Sequence, residues 1–205
     1  MAQDGVAAAL TRLDEVTRRL RRECPWDREQ DERSIVPHTV EEAYELADAA
    51  ESQDDARLLD ELGDVLFQVY FLSLLLEERG QGDLATVADR CREKLIRRHP
   101  HVFGEERAGS AGEVLRNWNR IKREDERGGE IFGRLPETLP STLYAQKVLK
   151  RARSAGFDWR PGDDPGERLL AAVRDAVQAG VDPELALRRA ADGFRALVER
   201  AEEGR

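Results

Sequence analysis

The sequence predicts an all-α protein, and three observations carry that expectation. Ala, Leu, Glu and Arg dominate the 205 residues while β-branched residues are sparse, a composition that suits helices and not sheets. Apolar residues recur at helical spacing, as at positions 6, 10, 13, 16 and 20, instead of alternating. Helix-opening patterns precede several of these runs: Thr39 with Glu42, Ser110 with Glu113, and Asp182 followed by Pro183, the first two capping boxes and the third an N-cap with proline at the first helical position.

In order, Val6 to Arg22 forms the first helix, with a charged outer face. The stretch ECPWDREQDERSIVPH then reads as a loop, because Pro25 and Pro37 are unfavourable inside a helix. Trp26 in it serves either to close the end of a bundle, together with Ile35, or to stack on a base. Thr39 opens the second helix, and a turn near Gln53 leads into the third. There Leu58, Leu62, Val65, Leu66, Val69 and Leu72 form a core stripe, and residues 65–76 are apolar nearly all round, as in a helix buried mid-bundle. Asp83 caps a fourth helix that runs to about Arg98, followed by the loop HPHVFGEE. Ser110 and Glu113 start a fifth, to about Arg127. Residues 128–141, rich in Gly and Pro, read as a linker between a domain at 1–127 and a helical extension at 142–205. The extension holds helices at about 142–154 and 167–179 and a last one opened by Asp182 and Pro183.

The second and third helices carry the chemistry-bearing pattern. Glu42 and Glu45 are three apart, as are Glu61 and Asp64, so each pair lies on one helix face about a turn apart. Both pairs are equally far in sequence from the turn near Gln53, so an antiparallel hairpin brings them to the same height. Axes roughly 8–10 Å apart leave a gap that acidic side chains span from both sides. Four carboxylates there repel one another, and a hard divalent cation, Mg²⁺ foremost, compensates them. Taken alone, Glu41, Glu42 and Glu45 are equally a capping carboxylate and a solvated acidic face. Glu61 and Asp64 are different, since they border an apolar stripe where unpaired acids are costly.

Lys94 and Arg98 share a face at the end of the fourth helix and either complement its dipole or bind phosphate. Trp118 and Lys122 are one turn apart on the fifth, as packing with a surface charge or as base and phosphate contacts. His99 and His101 lack further His or Cys residues to complete a metal site, and Cys24 and Cys91 are too few and isolated for a disulfide framework or zinc. The net charge of −9 argues against a nucleic-acid polymer as partner. No apolar run reaches the roughly 20 residues of a membrane span and no signal-peptide core precedes the first helix, so a soluble cytoplasmic protein is expected.

The segments CPWD (24–27), EEAYE (41–45), ELGDVLF (61–67), KLIRRHPHVF (94–103), NWNRIK (117–122) and AQKVLKRARSAGFDW (145–159), in this order and spacing, resemble the MazG family of nucleoside triphosphate pyrophosphohydrolases, within the all-α NTP pyrophosphatase superfamily. The resemblance implies a helical bundle with a four-helix core, paired into a homodimer with tetramers left open. It also implies hydrolysis of NTPs and dNTPs to the monophosphate and pyrophosphate, a nucleotide-pool house-cleaning activity. It places metal ligands for Mg²⁺, or Mn²⁺ in its stead, on Glu42, Glu45, Glu61 and Asp64. Substrate contacts fall on Trp26, Lys94, Arg98, Trp118 and Lys122, with Glu41 a candidate to orient or deprotonate the water. Family members with two such domains in tandem start the second near a motif like GFDW at 156–159. About 46 residues follow Trp159 here, without a paired acidic motif, so 142–205 reads as a remnant of a second domain lacking a metal site. A non-catalytic nucleotide-binding module, and a pyrophosphatase selective for dUTP or dCTP, are the alternatives.

Overall fold

The computed structural model describes residues 2–127 and 131–203, with side chains for all of these except 2–4, 123, 126 and 127. Among the described residues the secondary structure is entirely helical, and the chain forms two compact units, residues 1–105 and 106–205. Gly128 to Glu130 of the expected linker lie outside the described residues.

In the first unit, α1 (Ala2–Glu23) is followed by α2 (Pro25–Glu29), α3 (Glu32–Ser52), α4 (Asp55–Glu78), α5 (Leu84–Arg98) and α6 (Pro100–Phe103). α3 and α4 make an antiparallel hairpin, and α1 and α5 each pack on α4. The reversal uses Gln53, held at a left-handed φ of 57°, and Asp54, whose side chain accepts hydrogen bonds from the backbone N–H groups of Ala56 (3.0 Å) and Arg57 (3.1 Å). Ile35, Phe71 and Leu75 form the buried apolar centre, with Phe67 and Leu72 against it. Charge-assisted pairs clamp α1 to the end of α4. Arg18 reaches both carboxylate oxygens of Glu77 at 2.9 and 2.6 Å, and Arg21 those of Glu78 at 2.8 Å each. Both are the fork geometry in which a guanidinium matches a carboxylate.

The stretch expected to be a loop before Thr39 is largely helical. Pro25 sits at the start of α2, where no N–H is needed, and α3 begins at Glu32, one residue after the N-cap Asp31. The operative capping box is therefore Asp31 with Ser34, not Thr39 with Glu42. Ser34 N–H donates to the Asp31 carboxylate at 2.8 Å, and Asp31 N–H to the Ser34 hydroxyl at 2.9 Å. Pro37 lies inside α3 near its start, so the helical bond it deletes is the one to Arg33. Burial of Ile35 to 3% exposure against Phe71 and Leu75 offsets that loss. Thr39, released from capping, shares its single hydroxyl proton between Ile35 O and Gln68 Oε1, each at 3.3 Å, tying α3 to α4. The segment after Arg98 likewise closes into the short α6.

A second correction concerns the core stripe of α4. Leu62, Leu66 and Val69 are 49%, 37% and 39% exposed, while Gln68, Tyr70, Phe71, Ser73, Leu74 and Leu75 are buried. Periodicity identifies an apolar face, but only packing decides which part of it this chain covers. Val6, Leu10, Val16 and Leu20 of α1 and Val36 and Val40 of α3 are similarly open.

The second unit contains α7 (Ala111–Arg127), α8 (Ser141–Ser154), α9 (Pro165–Gln178) and α10 (Pro183–Glu203), with α8 packed on both α9 and α10. Their boundaries follow the expected ones closely. The Glu113 N–H donates to the Ser110 hydroxyl at 3.3 Å and the Glu113 carboxylate accepts from Gly109 N–H at 2.9 Å, opening α7. Asp182 caps α10 by accepting from Glu184 and Leu185 N–H at 3.0 and 3.1 Å. α8 ends at Ser154 and is stopped by Gly156, whose φ of 81° lets Phe157 N–H return to Ala152 O at 3.0 Å and Gly156 N–H to Arg153 O at 3.1 Å, a Schellman stop. No helix among the described residues is long and apolar enough to cross a membrane.

Candidate functional site

The α3–α4 hairpin converts two sequence spacings into one acidic cluster. One carboxylate oxygen from each of Glu42, Glu45 and Glu61 lies within 4.8 Å of the others. Glu42 and Glu61 are half-buried and Glu45 is exposed. A buried carboxylate among like charges is costlier to ionise. Glu42 shows it: its pKa is pushed up by burial first, then by the charges of Asp64, Glu45, Glu61 and Glu41. Asp64 is exposed and stands outside the convergent trio, yet its charge is the largest among the neighbours acting on Glu42. Its place at the edge of the cluster is one turn of α4 beyond Glu61.

A trio of carboxylate oxygens is the donor set of a hard cation such as Mg²⁺ or Mn²⁺, not of a soft one. The residues present fit such an ion: three oxygens converge and their mutual repulsion is only partly relieved by the chain itself. Arg57 supplies the partial relief, its guanidinium 3.6 Å from Glu61 across one turn of α4. Neither a histidine nor a cysteine belongs to this group.

The other candidate residues are dispersed around the two units. Glu41 is exposed, off the trio, and lies 3.7 Å from His38 Nδ1. His38 in turn meets Trp26 edge-on, with ring centroids 5.9 Å apart. Trp26 is 52% exposed on α2, so much of the indole is open to a ligand or to solvent. Lys94 and Arg98 share a helix face by spacing but not an environment, since Lys94 is exposed and Arg98 is buried. Trp118 and Lys122, in the second unit, meet each other: the Lys122 ammonium lies 5.1 Å from the indole centroid, a cation–π contact.

Two neighbours of the acids are not among the residues that the sequence pattern singles out. Arg57 and His38 stand four and three residues before Glu61 and Glu41, the helical spacings at which opposite charges meet, and that spacing was the available signal. Gln68 is buried and bonded to Thr39, so it serves the hairpin as a structural link.

Comparison with known proteins bears on the same segment. Residues 30–103, which contain the acidic trio and Asp64, match the family model described as the MazG nucleotide pyrophosphohydrolase domain. The chain is 39% identical over 166 residues to the nucleoside triphosphate pyrophosphohydrolase of Escherichia coli (strain K12), a match that takes in 78% of this chain and 63% of that protein. It is 32% identical over 206 residues to the nucleoside triphosphate pyrophosphohydrolase/pyrophosphatase MazG of Thermotoga maritima, covering 88% of this chain and 79% of the relative. An uncharacterized 26.1 kDa protein of Streptomyces cacaoi is 41% identical over 95% of this chain and 83% of its own length. Among solved structures, the crystal structure of a mazG-related protein from Thermotoga maritima aligns with a TM-score of 0.48 at 28% identity, over 55% of this chain and 98% of that one. The chain thus spans less than two thirds of the Escherichia coli relative and most of the Thermotoga maritima and Streptomyces cacaoi ones. With the domain match lying on the hairpin that gathers Glu42, Glu45 and Glu61, and with a MazG relative matched over most of both chains, this protein belongs to the MazG family.

Proposed function

We propose that the chain is a nucleoside triphosphate pyrophosphohydrolase, converting NTPs and dNTPs broadly to the nucleoside monophosphate and pyrophosphate with Mg²⁺, or Mn²⁺ in its place. The observation that carries this is the convergence of Glu42, Glu45 and Glu61 within 4.8 Å in a chain of this family. Glu42, Glu45 and Glu61, with Asp64 at the edge, would hold the cation. When bound, it would neutralise triphosphate oxygens and acidify a nearby water.

The chain's own groups supply the rest. Water adds to phosphorus, the α–β anhydride bond breaks, and its electron pair leaves on pyrophosphate. Lys94, exposed at the end of α5, offers its ammonium to phosphate oxygens, while buried Arg98 sets the charge beneath it. Glu41, outside the trio and near His38, orients the water and accepts its proton at a carboxylate oxygen. Half-exposed Trp26 offers a face to the base.

The same proposal assigns the chemistry to residues of the first unit, because the acidic group that could hold a metal among the described residues lies there. It has the four-helix core pair with a second copy in the cytoplasm. Support for pairing comes from Leu62, Leu66 and Val69 of α4, whose apolar surface is open in the single chain. The test is release of pyrophosphate and monophosphate from the common NTPs and dNTPs, with Mg²⁺ and with chelator, beside Asp64→Ala. Magnesium-dependent release that the substitution abolishes supports the assignment. Nucleotide binding with metal but no product would replace it with a non-catalytic binding module, and turnover confined to dUTP or dCTP would narrow it to a base-selective enzyme.

A further inference from the structure

We infer that the second unit carries a separate site for a nucleoside monophosphate, one that works without a divalent cation. A cleft of about 800 Å³ opens between α8 and α9, within the size range of small-ligand sites. α8 contributes Lys147, Lys150 and Arg153, α9 contributes Arg174, and the turn after α8 contributes Asp158 and Trp159.

The charges are the first reason. Lys147, Lys150 and Arg153 recur every three residues, so they follow one side of α8 and repel one another. No ion pair among the described residues engages any of the three, and the acid on the cleft wall, Asp158, is bridged to none of them. Neighbouring cations of this unit are used differently. Arg151 donates to the carbonyls of Phe132 and Arg134, and Arg174 is held by Asp175 at 2.8 Å. The three cations of α8 against Asp158 leave a local excess of two positive charges. A phosphate monoester carries about −1.5 to −2 at neutral pH and matches that excess.

The aromatic wall is the second reason. The Arg174 guanidinium lies 5.9 Å from the centre of the Trp159 ring, a contact that orients the half-buried indole. Gly156, in its left-handed turn at the end of α8, fixes the chain direction from the cationic helix into Trp159. A flat ring fixed beside an uncompensated cationic strip is suited to stacking a base while its phosphate meets the lysines. A simple anion would use only the cations, and a lipid or apolar ligand only the ring. The phosphate charge is met by side chains, because the convergent carboxylates Glu42, Glu45 and Glu61 belong to the first unit. The inference does not rest on the proposed hydrolysis, although the ligand class is that of its nucleotide product.

The test is calorimetric titration of the full chain with AMP in EDTA, beside inorganic phosphate and adenosine. The expected result is AMP binding at least tenfold tighter than either fragment, weakened at least tenfold by Lys150→Gln with Arg153→Gln and by Trp159→Ala, and kept by Trp159→Phe. Lys150 and Arg153 are exposed, so the double variant retains the fold, which circular dichroism checks. Glu42→Gln leaves this binding unchanged. Absence of AMP binding at millimolar concentration, phosphate binding as tightly as AMP, or loss of binding in Glu42→Gln with the double variant unaffected, would each overturn the inference.

Discussion

Glu42→Gln tests the acidic cluster by an effect whose sign reverses with metal. The substitution keeps the shape of the side chain and removes its charge from a group whose oxygens lie within 4.8 Å of those of Glu45 and Glu61. At that separation each repulsion is worth about 0.9 kcal/mol in bulk water and about 3.5 kcal/mol at an effective dielectric constant near 20. Glu45 is exposed and Glu42 only half-buried, so the watery limit applies and relief from two neighbours totals about 2 kcal/mol. In chelator at about pH 7 the variant is therefore more stable than the parent, by roughly 4–8 °C in Tm for a chain of this length. The pKa of Glu42 is raised by burial and by its acidic neighbours, so the penalty the parent bears exists only where Glu42 is ionised. It builds as pH rises from the ordinary Glu value of 4.5 through the raised one and is absent below both. The stability gain of the variant accordingly vanishes on acidification. Mg²⁺ or Mn²⁺ at a hundred times its dissociation constant adds about 2.7 kcal/mol to the parent, and the variant, having lost a ligand, gains far less. Thermal unfolding monitored by circular dichroism, across pH and across metal concentration, measures all three effects. A variant destabilised in chelator at neutral pH, or one stabilised by metal as much as the parent, would refute the cluster as described.

Other consequences are independent of the cluster. Phe71→Ala empties the centre of the first unit, where Phe71 is 1% exposed against Ile35 and Leu75, and costs about 3–5 kcal/mol in urea unfolding. Gln53→Gly removes a side chain from a left-handed turn residue at φ 57° and leaves stability unchanged or up to about 1 kcal/mol higher, whereas Gln53→Val lowers it; the contrast is read from Tm. The pKa values of Glu77 and Glu78 are lowered chiefly by hydrogen bonds from Arg18 and Arg21. Their contribution is present above the ordinary Glu value and is lost as pH falls through the depressed one. Arg18→Ala with Arg21→Ala flattens this acid limb of a stability–pH profile. Because both carboxylates are 41% exposed, each pair contributes no more than about 1 kcal/mol, and salt reduces it.

Local sequence pattern determined the helical class, most helix boundaries, the reversal at Gln53 and the meeting of Glu42, Glu45 and Glu61. Each depends on interactions within a few residues or on the fixed 3.6-residue period, which the order of residues specifies directly. Tertiary structure decided the rest. Pro37 is tolerated inside α3 because Ile35 finds Phe71 and Leu75 from α4, a contact far away in sequence. Lys94 and Arg98 look alike by spacing, yet only packing separates the exposed ammonium from the buried guanidinium. Spacing pairs Asp64 with Glu61 as an equal ligand, whereas the hairpin geometry sets it at the edge of the trio. An apolar face declares that it needs cover, but Leu62, Leu66 and Val69 remain open in this chain, since hydrophobic attraction is non-directional and does not name its partner.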